Sequence, residues 1–342
     1  MLVLALVLGL RVFIFFSVVV PDPKRAHAND SRSYNDCALA IAETGKFYKG
    51  THPDSPPEVF RTPGYPIFLA LFYKIWGFDY IPVVFVQVFI GGLFIPVLLF
   101  LILKNLTSPN IACLGALFVG LDLNTLILEM SVLSETLAHL SVTLIIFFCY
   151  RLLIKELFWS SVIAISMLLV LSTFIRPITY YLPICLCIGI LCFYKLYKYK
   201  SQQVFAIILF IFILPITVFR VWEFRNEKLT GMDLFSSVSA VNMLHYRAAG
   251  IHAIKAGISF EKARGEMDSL MYQDRLIKSD NLHERRMEFG KKFITENFLI
   301  YARVAFQSLP KLLLGPGVTQ VMIFLGEHER WQIIADEKMI TI

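Results

Sequence analysis

Charge is scarce in this chain. Asp, Glu, Lys and Arg make up 17% of its 342 residues, where a soluble domain carries about 25%. So thin a charged complement cannot solvate the surface of a soluble protein of this size, which excludes an ordinary soluble enzyme. Cysteine is sparse too. Of the six, Cys113, Cys149, Cys185, Cys187 and Cys192 lie inside or at the ends of apolar blocks, and only Cys37 falls in a polar loop. No CxxC pair or Cys/His cluster is present, which argues against a disulfide framework or a structural zinc site. The seven histidines show no metal-ligand spacing, and HExxH is absent. There is no internal repeat and no low-complexity tract. The net charge is +6, yet beyond Trp222 the 16 Lys and Arg are matched by 15 Asp and Glu, so no basic face for nucleic acid is in view.

What the chain has in excess is apolar sequence, 57% of it, gathered in blocks rather than at the spacing of amphipathic helices or strands. Crossing the hydrocarbon of a bilayer takes about 20 such residues. Seven runs read as spans: 2–20, 80–103, 107–121, 133–153, 158–174, 178–194 and 204–222. The expected fold class is therefore an all-α integral membrane protein. Ala26-His27-Ala28 has the small-x-small shape of a signal cleavage site. The first run is long, however, with no Lys or Arg before it and basic residues after it, so it is expected to stay as a span.

Orientation follows from the basic residues of the short loops. The loops after the second, fourth and sixth runs carry Lys104; Arg151 and Lys155; and Lys195, Lys198 and Lys200. Those after the third and fifth carry none and Arg176 alone. The first set belongs in the cytoplasm, which leaves a long first outer loop, 21–79, and an outer C-terminal segment, 223–342. The six basic residues of 21–62 oppose this assignment, but six acids balance them. Within the outer loop, Pro66–Trp76 is too short to span and reads as an interfacial helix with Tyr65, Tyr73 and Trp76 at headgroup depth. Thr62-Pro63-Gly64-Tyr65-Pro66 would start it: Gly64 can take φ > 0 and Pro66 suits a first turn. In the C-terminal segment, Phe260, Ala263, Met267, Leu270, Met271 and Ile277 recur at helical spacing. A second helix should begin near Asn281, with Glu284 placed for a capping box. Residues 298–325 are apolar but broken by Arg303, Pro310, Lys311 and Pro316, the pattern of an interfacial hairpin.

The polar residues near the membrane gather on the predicted outer side: Asp30, Tyr34, Asp36, Arg61, Tyr65, Asp122, Glu129, Glu135, Arg176, Arg220 and Arg225. Charge near hydrocarbon is costly and tends to mark function. Asp30 could act as a general base, or simply cap a helix. Glu135 could bind a sugar hydroxyl, pair with an arginine, or only complement a helix dipole. Arg176 falls between two apolar runs with almost no loop. Its fork of donors suits a phosphate, and snorkelling to headgroups is the plainer alternative. Arg11, inside the first run, calls for a carboxylate from another span. Asn29-Asp30-Ser31 also matches the short, common glycosylation pattern.

These residues resemble a known family. Asp30 with Tyr34, then Ala38, Gly45 and Phe47, then Arg61-Thr62-Pro63-Gly64-Tyr65-Pro66-Ile67-Phe68-Leu69-Ala70 resemble the first outer loop of GT-C membrane glycosyltransferases. The branch is the one holding bacterial homologues of protein O-mannosyltransferases and the aminoarabinose transferase of lipid A. Ser134-Glu135 and Arg176-Pro177 are similar to two further motifs, and Asn226, Gly231 and Asn242-Met243-Leu244 resemble the start of the outer domain. The resemblance covers about residues 1–250, and the Arg-x-Pro-Gly-Tyr-Pro stretch is its most specific part. It implies a transmembrane module, 1–222, and transfer of a sugar, with inversion, from a polyprenyl-phosphate donor to a lipid, glycan or protein hydroxyl at the outer face of a bacterial plasma membrane. Asp30 matches the aspartate thought to deprotonate the acceptor. Tyr34 and Glu135 would help bind substrate, and Arg61, Tyr65 and Arg176 would lie near the carrier phosphate. The prenyl chain would need a groove between the spans and the Pro66–Trp76 helix. Some relatives use a divalent metal, which nothing in this sequence specifies. Many also carry spans beyond the outer domain, whereas this sequence ends at Ile342. Two other classes stay open: a lipid or sugar-lipid transporter, which usually places its polar groups near the midplane, and a non-catalytic membrane scaffold.

Overall fold

The structure, a computed structural model, describes residues 2–28, 30–154, 158–193, 200–274, 276, 277, 279, 281–314, 321 and 324–326. These residues are helical apart from loops and one isolated antiparallel bridge, Tyr48 to Pro57. They divide into two compact units. The first comprises Met1–Glu58, Thr62–Val221 and Gly317–Ile342; the second comprises Val59–Arg61 and Trp222–Pro316.

The first unit begins with α1 (Leu2–Ile14), which runs on through a π turn, Phe15–Val19. Two shorter helices follow, the amphipathic α2 (Ser31–Thr44) and the largely apolar α3 (Gly64–Trp76). Next come α4 (Ile81–Leu103), α5 (Pro109–Gly120), α6 (Leu123–Glu129), α7 (Glu135–Leu153), α8 (Phe158–Ile175), α9 (Leu182–Phe193) and α10 (Ser201–Thr230), which from Trp222 onward is counted with the second unit. Four of these, α4, α7, α8 and α10, are long and apolar enough to cross a membrane, and the bent pair α5 and α6 would be a fifth. That is the make-up of a multi-pass membrane protein. The apolar runs 2–20 and 178–194 form shorter helices, Val3–Val19 and Pro177–Cys192. The run 107–121 does not continue straight. It breaks at Leu121 and Asp122 and turns by 57° into α6, whose first turn is capped by the Asp122 carboxylate accepting from Thr125 N at 2.7 Å. Cys37, expected in a loop, is buried on α2.

The bend delivers Glu129 to Arg11. The Arg11 guanidinium donates through Nε to Glu129 Oε2 at 2.5 Å and through Nη2 to Oε1 at 3.3 Å, and its Nη1 is received by the carbonyl of Gly120. Both side chains are 1% exposed. Space for them comes from Gly91 and Gly92, in a π turn of α4 spanning Ile90–Phe94. A Cβ on Gly91 would overlap the Glu129 carboxylate, and one on Gly92 would stand 2.7 Å from Arg11 Cδ. Around this pair an apolar cluster draws Phe15, Val19, Leu69, Val84, Leu126 and Met130 from α1 through α6. A second cluster, with Ile145, Val162, Ile165, Leu169, Ile207 and Ile211, joins α7, α8 and α10.

In the second unit, α11 (Val238–Asn242) and a π turn, Met243–Ala248, lead into α12 (Ala249–Ala256). After these come α13 (Phe260–Gln273), α14 (Leu282–Glu296) and α15 (Phe298–Leu314). The predicted stripe supplies Met267, Met271 and Ile277 to a core completed by Leu244, Ala248 and Phe289. The cap of α14 forms in modified shape. Asn281 Oδ1 accepts from His283 N at 2.9 Å and from Glu284 N at 3.4 Å, while the Glu284 carboxylate accepts from Ser279 Oγ at 2.8 Å. The expected 298–325 hairpin is α15 in its first half, and most of its second half lies outside the described residues.

Replacing one member of a buried ion pair typically costs about 3–5 kcal/mol, because the other charge stays buried alone, while replacing both with apolar groups is close to neutral. Arg11→Met should therefore lower the thermal midpoint in detergent sharply. Arg11→Met with Glu129→Met should recover most of the loss, and equal melting of single and double variants would show that the pair is not the cause.

Candidate functional site

The polar residues of the first unit meet where the loop after α1 crosses the loop before α7. Val132 N donates to Ala26 O at 2.8 Å, and Ser31 Oγ donates to Val132 O at 2.9 Å while receiving Ala28 N at 2.9 Å. These bonds fix the head of α2. Asp30 stands at its N-cap, exposed, with a side chain that makes no capping bond and a carbonyl that receives Ser33 Oγ at 2.8 Å. One turn on, Tyr34 is buried, and its hydroxyl shares a proton with Ser134 Oγ at 3.0 Å. The Tyr34 ring meets that of Tyr65 edge-on, with centroids 4.9 Å apart.

Tyr65 lies on α3, fully buried, and donates from its hydroxyl to Gln87 Oε1 at 2.8 Å. The other end of that amide, Nε2, donates to the carbonyls of Glu129 at 3.1 Å and Ser131 at 2.7 Å. Tyr73, two turns along α3, donates to Asn35 Oδ1 at 2.6 Å. Tyr65 and Tyr73 were expected at headgroup depth. Instead their hydroxyls are bonded inside the unit, and only Trp76 of the three is exposed, stacked on Phe72. Burial pushes both phenols well above their ordinary range.

The head of α3 is seated on the end of α8. Thr62 Oγ1 donates to Ile175 O at 3.2 Å, and a Cβ on Gly64 would lie 2.7 Å from the Phe174 carbonyl. The sequence had suggested left-handed backbone at Gly64. The residue is in fact the first of the helix and outside the left-handed region, and what its missing side chain permits is contact between two backbones.

Immediately after Ile175, Arg176 leaves α8 in extended backbone. Its Nη1 pairs with Oε1 of Glu135, the first residue of α7. The pair is partly exposed, 38% for the arginine side chain and 24% for the glutamate. The second carboxylate oxygen, Glu135 Oε2, is buried with no hydrogen-bond partner among the described residues, and so is the hydroxyl of Thr136. An apolar groove of about 280 Å³ lies between α3, α7 and α8; Ile175, the residue before Arg176, lines one end of it, and neither Arg176 nor Glu135 is among its lining residues. It starts at Gly64, Leu137 and Ile175 and reaches Leu71, Leu144 and Leu168 two turns along, about 10 Å away.

Four of the predicted site residues, Tyr34, Tyr65, Glu135 and Arg176, thus stand in one cluster, with Asp30 a helical turn from Tyr34. Two of them, Tyr34 and Tyr65, have their hydroxyls committed to internal bonds. Arg61 belongs to the second unit. There Val59 O receives Ser237 N at 2.9 Å, Phe60 O receives Ser236 Oγ at 2.7 Å, and the Arg61 guanidinium lies over the Phe60 ring at 4.8 Å. Sequence reasoning missed Gln87 and the hydroxyl of Ser134. A lone amide in the apolar run 80–103 was the available signal, since a polar group in hydrocarbon needs partners. Among the described residues no three His, Cys, Asp or Glu side chains are placed to hold a metal ion.

Tyr65→Phe leaves Gln87 Oε1 buried without its donor, which should cost about 1–3 kcal/mol on thermal melting. The raised phenols also set a pH dependence. Above about pH 10 the unfolded chain releases tyrosine protons that Tyr65 and Tyr73 retain when folded, so stability should fall as the pH climbs. Melting followed from pH 9 to 11 should show a shallower decline for Tyr73→Phe than for the wild type, and parallel curves would refute the assignment.

No protein-family model matches this chain, and neither a curated protein nor a solved structure matches it.

Proposed function

We propose that the chain is a seven-span membrane glycosyltransferase of GT-C type, with its active site on the outer face of a bacterial plasma membrane. It moves a sugar from a polyprenyl-phosphate carrier to an acceptor hydroxyl. The observation that carries this reading is the apolar groove whose end residue, Ile175, directly precedes a paired, part-exposed arginine. An amphiphilic donor has the same two parts, an anionic head and a hydrocarbon tail. The groove also runs along α3, whose Thr62–Tyr65 head carries the most specific part of the family resemblance.

In the reaction, Asp30 takes the proton from the acceptor hydroxyl. The freed oxygen attacks the anomeric carbon from the face opposite the carrier, the bond from that carbon to the phosphate oxygen breaks, and polyprenyl phosphate leaves as an anion. Arg176 stabilises the charge that grows on the leaving phosphate, which is the largest electrostatic demand of the step. Asp30 suits its role because it is exposed at a helix head tied through Tyr34 to Ser134, the neighbour of Glu135. Tyr34 and Tyr65 hold this geometry through their buried hydroxyl bonds to Ser134 and Gln87.

The test uses wild type and Asp30→Asn in lipid vesicles, offered labelled prenyl-phosphate sugars and an envelope extract as acceptor. Label should pass to an acceptor with the wild type and fall about 100-fold or more with the variant, the usual contribution of a general base. Folded wild type that neither transfers label nor binds the carrier would end the transferase reading. Movement of intact donor across the vesicle without transfer would replace it with a transporter.

A further inference from the structure

Directly after Ile175, which lines one end of the groove, Arg176 pairs with a carboxylate that is only half bonded. Glu135 Oε1 meets Arg176, while Glu135 Oε2 is buried with no hydrogen-bond partner among the described residues. A buried acceptor left in that state costs stability. The arrangement is therefore well suited to change when something arrives that can bond the second oxygen or take the arginine. Arg176 can be reached from outside, and its planar fork accepts a phosphate as readily as a carboxylate. Its backbone does not have to move for this, since Arg176 N is anchored to Ser172 O at 2.8 Å and the preceding Ile175 O to Thr62 Oγ1 at 3.2 Å.

We propose that Glu135 is a lock on the phosphate site. In the empty protein it occupies Arg176, and the phosphate of a prenyl-phosphate ligand must displace it. The proposal rests on the reading of the groove as the carrier site. It adds a selectivity which that reading does not contain. A spent carrier, bare prenyl phosphate, takes Arg176 and leaves the whole Glu135 carboxylate unbonded. A glycosylated carrier brings sugar hydroxyls next to its phosphate, and one of them can donate to the displaced carboxylate. Sites that leave a buried polar group unpaired reject the analogue lacking the matching hydroxyl. Glu135 thus favours donor over product and helps expel the spent carrier after transfer.

The probe is farnesyl phosphate, with farnesol as the control that lacks the anion, titrated onto purified wild type, Glu135→Gln, Arg176→Gln and the double variant. Removing the competitor should raise the competent fraction of the site, so Glu135→Gln should bind farnesyl phosphate about tenfold tighter than wild type. Farnesol binding should not change, and both variants lacking Arg176 should lose the preference for the phosphate. A Glu135→Gln protein that melts like wild type but binds farnesyl phosphate equally or more weakly overturns the lock. Should that variant fail to fold, Glu135→Ala answers the same question. Label transfer measured on the same preparations separates the two ideas. Transfer without tightening leaves a transferase with no lock, and tightening without transfer leaves an anion lock in a protein that is not a transferase. No binding of farnesyl phosphate by any folded variant removes both.

Discussion

A guanidinium and a carboxylate removed from water must bond each other and have their remaining donors and acceptors met, or the fold that buries them is lost. Arg11 and Glu129 satisfy that condition only if several separate features coincide. α5 has to end at Gly120, whose carbonyl takes one Arg11 donor. The chain has to bend into α6 to present Glu129. α4 has to carry two adjacent glycines, in a turn wider than an α-helix, so that the charged groups fit against its backbone. Few alternative packings of these helices would meet all three demands, so the pair selects one arrangement of α1, α4, α5 and α6.

The candidate site is built outward from that arrangement. Gln87, one turn before the glycine pair, takes hold of the backbone that follows α6 and of the Tyr65 hydroxyl on α3. Tyr65 backs Tyr34, and Tyr34 bonds Ser134, which leads directly into Glu135. The chain of contacts runs from a structural ion pair, through an amide and two phenols, to a half-bonded and partly exposed ion pair next in the chain to Ile175, at one end of the groove. The difference between the two pairs is instructive. Arg11 and Glu129 are 1% exposed and bonded through both carboxylate oxygens. Glu135 and Arg176 are partly exposed and bonded through one. The first is closed on itself, while the second leaves one carboxylate oxygen unbonded among the described residues.

The reading of the sequence and the structure part company at particular residues. That Arg11 needed a carboxylate from another span was legible, because charge in hydrocarbon demands a partner. Glu129 as that partner was not, since it depends on a bend at Leu121 and Asp122 that hydropathy cannot register. Tyr65 and Tyr73 carry the composition of an interfacial belt, yet they face inward, because Gln87 and Asn35 stand opposite to receive their hydroxyls. Gly64 was noted in the sequence only for its ability to take φ > 0. Its conformation is ordinary, and the constraint is the Phe174 carbonyl, 110 residues away in the chain.

By itself the sequence determined that this protein is helical and apolar enough in long blocks to cross a membrane. Those properties are sums over local runs, and length and hydropathy are additive along a chain. It also determined which polar residues would be conspicuous. Which of them meet was decided by the tertiary structure alone: Arg11 with Glu129, Tyr65 with Gln87, Arg176 with Glu135, and a groove beside the last pair. Each of those meetings depends on how far one helix can approach another. That distance is fixed by side-chain volume and by the need to satisfy buried polar atoms across the interface, and neither is a property of any single segment.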